Sequence, residues 1–298
     1  MKILVTGREG QLVRSLIERA GGISGVSLVP FGRPQLDLER TESIAPIVAE
    51  AAPDVIINAA AFTAVDLAEE QPERAALLNE AAPAALAEAA RRIGAPMVHI
   101  STDYVFDGAS PVPYGEQASP HPLGVYGRTK LAGEDKVRKA NADHVIVRTS
   151  WVYSPFGRNF LKTMMALAKS QEEVAVVGDQ HGNPTSAMDL ADGLLTMIRA
   201  WRSGRTTGLG ETYHLAGSGH ATWFDFAALI MRESARLGQG SAKVRRIRTS
   251  EWPTRARRPA NSLLDCSKFE SHFGFRMPAW EISARATIER LLGEPAAA

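Results

Sequence analysis

Lys2-Ile3-Leu4-Val5-Thr6-Gly7-Arg8-Glu9-Gly10-Gln11-Leu12-Val13 is the stretch that decides the fold. A short apolar run stops at a glycine and passes within a few residues into a helical pattern, Gln11–Ala20. Gly7 and Gly10 permit a tight turn and let backbone N–H groups approach an anion at the start of that helix. Gly-x-x-Gly alone is a common βα turn. Its place between a first strand and a first helix favours a dinucleotide pyrophosphate over a plain connection. Val13 stands where the usual pattern has a third glycine, which leaves the close helix–strand contact open.

Working outward, apolar β-branched runs recur at 26–31, 54–60, 97–101 and 143–149, nearly continuous as in strands buried on both faces. Between them lie helical patterns at 41–51, 72–92 and 125–140, the first interrupted by Pro46. The alternation predicts an α/β fold, a doubly wound parallel sheet of Rossmann type, with 1–150 as a dinucleotide-binding domain. After Trp151 the rhythm breaks. Helical patterns at 159–170, 186–201, 223–237 and 279–292 are spaced by loops rich in Gly, Pro and Arg, with strand-like runs only at 174–177 and 212–215. Residues 151–298 therefore read as a smaller, α-rich, mainly substrate-binding domain, with the segment around 174–177 a candidate to return to the first sheet.

Of 298 residues, 45% are apolar and 22% charged, as in ordinary globular proteins. A net charge of +1 argues against a general nucleic-acid or membrane-surface binder. Cys266 is the single cysteine, so no internal disulfide forms and a reducing, cytoplasmic setting is expected. No signal peptide is expected, and no run reaches the ~20 apolar residues that cross a bilayer. The terminal alanines, Ala296 to Ala298, are expected to fray.

Tyr126 and Lys130 lie one helical turn apart. An ammonium there favours the tyrosinate and lowers the phenol from its ordinary pKa of about 10, so that it can give a proton to a carbonyl oxygen near neutrality. The spacing alone is common and reads equally as a surface pair. Thr102, at the end of the fourth apolar run, can donate to the same oxygen and completes a proton-handling trio. The second run ends Phe31-Gly32-Arg33 without a carboxylate for a ribose 2′-hydroxyl. The Arg33 guanidinium suits a 2′-phosphate, which favours NADPH and leaves NADH open; the bland alternative is a solvated loop charge. Asp37 and Leu38 stand where an adenine would be flanked. The small residues of Asn58-Ala59-Ala60-Ala61-Phe62-Thr63 let a flat ligand lie over the sheet, or simply pack a strand end. Trp151 reads as core or as a platform for a sugar or base. Arg257 and Arg258, in a basic stretch stiffened by Pro253 and Pro259, suit a diphosphate or a solvated face. Trp252 is the only aromatic interleaved there, which does not support nucleic-acid stacking.

Thr6-Gly7-x-x-Gly10-Gln11, Asn58-Ala59-Ala60-Ala61, Ser101-Thr102-Asp103-Tyr104-Val105-Phe106, Tyr126-Gly127-x-Thr129-Lys130 and Arg148-Thr149-Ser150-Trp151-Val152-Tyr153 together resemble the dTDP-4-dehydrorhamnose reductases. These are extended short-chain dehydrogenase/reductases. The likeness continues through Asp179-Gln180-x-Gly182-x-Pro184-Thr185 and Pro253-Thr254-x-Ala256-Arg257-Arg258-Pro259, over nearly the whole chain. It implies an oxidoreductase that moves hydride from NADPH or NADH to the C4 keto carbon of dTDP-4-dehydro-L-rhamnose. By the resemblance Tyr126 donates the proton, Lys130 lowers its pKa and holds the nicotinamide ribose, and Thr102 anchors the reacting oxygen. Gly10, Gln11, Leu12, Asp37, Leu38, Ala61, Phe62, Thr63 and Ile100 match cofactor-contacting positions; Thr102, Asp103 and Trp151 match substrate-contacting ones. Some members hold Mg2+ between two subunits through glutamates; Ser15 and Met188 occupy the matching positions, which weighs against a metal bridge and leaves a homodimer open. A talose-forming reductase and a non-catalytic regulatory subunit are the alternatives. A dehydratase would want a second carboxylate where Tyr104 stands.

Overall fold

The computed structural model describes residues 1–202 and 206–293; the alanine tail lies outside the described residues. In chain order the first half holds β1 (Lys2–Thr6), α1 (Gln11–Ala20), β2 (Ser27–Phe31), α2 (Ile44–Ala51), β3 (Val55–Asn58), α3 (Val65–Glu70), α4 (Pro72–Ala76), α5 (Ala82–Arg92), β4 (Met97–Thr102), α6 (Val125–Ala140) and β5 (His144–Thr149). The second half holds β6 (Val152–Tyr153), α7 (Phe160–Ser170), β7 (Glu173–Val177), β8 (His181–Gly182), β9 (Thr185–Ser186), α8 (Ala187–Arg202), β10 (Glu211–His214), β11 (Ala221–Thr222), α9 (Trp223–Arg236), β12 (Lys243–Ile247), α10 (Ser267–Phe273) and α11 (Trp280–Gly293).

Six parallel strands form the main sheet in the order β10-β5-β4-β3-β1-β2. Alternation along each strand feeds two layers. Ile3 and Val5 of β1, Val55 and Ile57 of β3 and Val145 and Val147 of β5 pack with Leu16 of α1 and Leu190, Leu194 and Ile198 of α8. Leu4, Ile56 and Ile146 point the other way, onto Val48 of α2, Leu86 of α5 and Val137 of α6. Continuous apolar runs are thus required, because both faces are covered.

One expectation needs correction. The 174–177 run does not return to the main sheet; it lies in β7, which pairs in parallel with β12. The strand that returns is β10, laid beside β5 with Tyr213 opposite Val147. Tyr213 is fully buried there, whereas β7 offers mostly half-exposed side chains that could not fill a two-faced sheet. The 72–92 helix forms as one unbroken helical run, α4 and α5 being joined through a π-helical turn, Leu77–Ala81. Pro46 is tolerated because α2 begins at Ile44, which places the proline in the first turn, where no intrahelical N–H bond is lost. A second core around Tyr153, Leu161, Phe226, Ile230, Trp280 and Ile288 joins α7, α9 and α11. No described helix is long and apolar enough to cross a membrane.

Candidate active site

Above the carboxyl ends of β1, β3, β4 and β5 lies a cavity of about 710 Å³, where open parallel sheets take their ligands. Its floor begins at the β1–α1 turn. Gly7 has φ +97°, a left-handed conformation suited to glycine, and its missing Cβ leaves room for Val13 Cγ2 at 3.3 Å from where that atom would stand. Val13 therefore supplies the close helix–strand contact that a third glycine would otherwise make. Gly10 precedes α1 with no side-chain cap, and the first turn carries no acid. Free N–H groups and the positive end of the helix dipole are thus presented to the cavity, which fits a pyrophosphate. Thr149 adds a buried hydroxyl, without a partner among the described residues, on the same lining.

Gln11 closes one side. Its amide donates to the Val152 carbonyl (3.3 Å), and its carbonyl accepts from Ser154 and Asn159 (both 2.9 Å), tying α1 to the segment after β6. Gly7, Gly10, Gln11, Leu12, Ala61, Thr63, Ile100, Thr102, Asp103, Tyr126, Lys130 and Trp151 all line the cavity. Arg33, Asp37, Leu38, Phe62 and Arg258 do not. Arg33 is exposed and bonded to Asp37 (3.0 Å) and Glu39 (2.9 Å), whose carboxylates satisfy its guanidinium. Leu38 is buried in the α2–α5 layer. Phe62 exchanges backbone hydrogen bonds with the Asn79 amide, so its main chain is fixed while its ring packs near Val125 and Tyr126. Arg258 forms a bidentate pair with Asp66 of α3 (3.2 and 2.7 Å).

Helix α6 carries Tyr126 and Lys130. Glu69 of α3 accepts the Val125 N–H (2.7 Å), a carboxylate at the positive helix end. A Cβ at Gly127 would collide with the Tyr104 carbonyl, so glycine lets α6 lie against the end of β4. Burial raises the Tyr126 phenol to about 12, while the neighbouring Thr102 hydroxyl pulls it down. The ring meets Tyr104 edge-on with centroids 5.6 Å apart. Burial likewise lowers Lys130 to about 8, against the attraction of Glu134. The Lys130 Nζ donates to the Ile100 carbonyl at 2.6 Å, and it is this contact, not the phenol, that orients it. The expected lowering of Tyr126 by Lys130 is therefore not present; desolvation of both groups outweighs it.

Behind Lys130 runs a wholly buried polar line. The Ala60 N–H donates to Thr6 Oγ1 (3.0 Å), Thr6 donates to Asn58 Oδ1 (2.7 Å), Asn58 Nδ2 meets His99 Nδ1 (2.9 Å), and His99 Nε2 lies 3.4 Å from Lys130 Nζ. Burial first, and then the nearby cation, push His99 well below its ordinary pKa and keep it neutral. Thr102 donates to Asp103 Oδ1 (2.9 Å) and accepts from the Tyr104 N–H (3.2 Å). Burial raises the Asp103 carboxyl to about 6. A ligand oxygen at Thr102 therefore competes with Asp103 for one hydroxyl proton.

Sequence reasoning missed His99 and Trp223. Trp223 stacks on Trp151 at 3.6 Å between centroids and 8° between planes. Trp151 itself has φ +45°, a backbone strain of about 1–3 kcal/mol held by its surroundings. His99 carried a signal, a lone imidazole inside an apolar strand run. Trp223 carried none, since it opens an ordinary amphipathic helix. Among the described residues, no cluster of three or more His, Cys, Asp or Glu stands close enough to hold a metal.

Comparison with known proteins agrees over the full length. A dTDP-4-dehydrorhamnose reductase of Sinorhizobium fredii is 46% identical over 99% of this chain and 99% of its own. The crystal structure of a dTDP-4-dehydrorhamnose reductase from Clostridium acetobutylicum superposes with a TM-score of 0.90 at 39% identity, covering 98% of this chain and 99% of that one. That of the Bacillus anthracis enzyme in complex with NADP gives 0.88 at 34%, covering 97% and 99%. The family model described as the RmlD substrate binding domain matches residues 1–292. With the glycine turn, the Thr102–Tyr126–Lys130 group and this match in hand, the chain belongs to the RmlD family of dTDP-4-dehydrorhamnose reductases.

Proposed function

We propose that this chain reduces the C4 keto group of dTDP-4-dehydro-L-rhamnose to give dTDP-L-rhamnose, drawing on NADPH, with Tyr126 as the proton donor. The observation that carries the reading is the convergence of Thr102, Tyr126 and Lys130 in the cavity that the β1–α1 glycine turn opens. NADPH, when bound, supplies the hydride. The α1 N-terminus holds the pyrophosphate, and Arg33 leaves Asp37 and Glu39 for the 2′-phosphate. Lys130 holds the nicotinamide ribose from its seat on the Ile100 carbonyl. Thr102 turns its hydroxyl from Asp103 to the keto oxygen. Tyr126, whose raised pKa keeps it protonated, gives its proton to that oxygen as charge develops there; Thr102 then stabilises the phenolate. The 154–159 segment, tied to Gln11, lines one side of the cavity. The setting is a cytoplasmic one, matching the single thiol, and a homodimer is compatible with it.

Purified protein is expected to oxidise NADPH, and NADH more slowly, only when a dTDP-4-keto-6-deoxyhexose is present. NMR of the sugar product should show the rhamno configuration; a talo product would move the assignment to the sister reductase. Tyr126→Phe should lose about 10²–10⁴-fold in kcat with an unchanged Tm. Full activity in that variant would rule out the proton donor.

A further inference from the structure

We propose that Trp223 and Gly182 form a clamp on Trp151 and are the positioning residues that select for the hexose of the nucleotide sugar. The inference deepens the reading above and rests on it for the identity of the ligand.

Sheet order separates the two ends of the cavity. The glycine turn lies after β1, on one side of β4 with Thr102; Trp151 follows β5, on the other. Trp151 therefore stands across Thr102 from the glycine turn, and there we place the sugar. Its backbone is pinned at both sides to one segment. The Ser150 hydroxyl donates to the Asn183 carbonyl (2.9 Å), the Thr185 N–H donates to the Trp151 carbonyl (3.2 Å), and β6 pairs with β9.

The ring is held as firmly. Trp223 covers one face, parallel and too close to admit any atom between. A Cβ added at Gly182 would collide with Trp151 at Cε2, Cζ2 and Nε1 and so stands over the other face. One short antiparallel pair sets the jaws: Gly182 lies opposite Ala221, and His181 opposite Thr222, the residue before Trp223. Thr222 caps α9 through a reciprocal box with Asp225, and Phe160 packs on Trp223 at 4.6 Å, which fixes the outer jaw. With Trp223 over one face and Gly182 against the Cε2, Cζ2 and Nε1 part of the ring, Trp151 keeps mainly its edge for a ligand. Both tryptophans line the cavity, and neither indole N–H donates a hydrogen bond among the described residues.

Two measurements on the NADPH-loaded protein test this. Two stacked indoles should give an exciton couplet in the far-UV circular dichroism, absent from Trp223→Phe and Trp151→Phe; a wild-type spectrum without it overturns the clamp. Calorimetry with dTDP-glucose and with dTDP separates the hexose from the nucleotide. Trp223→Ala should weaken dTDP-glucose by about tenfold or more while leaving dTDP and NADPH unchanged, and Trp223→Phe should recover most of the loss. Equal effects on dTDP and dTDP-glucose, or none on either, overturn the selection of the hexose. Both measurements are made without turnover, so an inactive wild type would sink the reductase assignment and not the clamp.

Discussion

Two charged clusters in this molecule use the same residue types to different ends. Inside, between β4, α6 and β5, Glu134 is fully buried and accepts two bonds from Arg148 (2.9 and 2.7 Å) and one each from Ser101 (2.5 Å) and Arg138 (2.8 Å). Burial would raise its carboxyl, but those donors hold it below the ordinary range. Outside, the 253–259 segment is fastened to α3 by Arg258 on Asp66 and Arg255 on Glu70, with the acids substantially exposed. The inner cluster is built from neighbours in one βαβ unit and packs α6 against the sheet. The outer one joins residues far apart in sequence and needs only that two surfaces meet. Charge in the core holds geometry; charge at the rim holds proximity.

The largest expected effect comes from breaking the inner cluster. Glu134→Ala leaves Arg148 buried without its acid and should cost about 3–5 kcal/mol in urea unfolding. A cost near that of a surface pair would erase the contrast. A pH titration sharpens it next. Lys130 has its pKa lowered from 10.5 to about 8, so above pH 8 the folded protein releases a proton that the unfolded chain still holds. Stability from this group should rise with pH between those values, while turnover falls as the ammonium is lost. Lys130→Met should remove the stability limb; its persistence in that variant would assign the limb elsewhere. The smallest effect belongs to the rim. Asp66→Asn should change unfolding by less than about 1 kcal/mol, because solvent screens the pair. A larger loss would mean that Asp66, and not Glu70, dominates the hold on the 253–259 segment.

What could be read from the residues follows the range of the interactions involved. β1 and α6 match their sequence patterns residue for residue because local alternation and helical spacing set them. The Thr102–Tyr126–Lys130 group was legible for the same reason, as strand end and helix turn were both local. The destination of β10 was not, since a strand pattern at 212–215 does not name its neighbour. Nor was the partner of Arg258, which lies 192 positions away. The pKa direction of Tyr126 failed for a third reason: the charge of Lys130 was visible in sequence, but the desolvation of Tyr126 depends on atoms contributed by the whole fold.

The place of β10 has a consequence for how this polypeptide comes into being. The main sheet cannot be closed on the ribosome until His214 has emerged, and until α8 is out, the face of β1, β3 and β5 above α1 stands bare. The nascent first half must therefore wait, with apolar strands showing, for sequence that belongs to the second. A cleft for small molecules and a completed hydrophobic interior arrive together, so an enzyme of this design has no half-built stage at which it could bind its nucleotide safely and finish later.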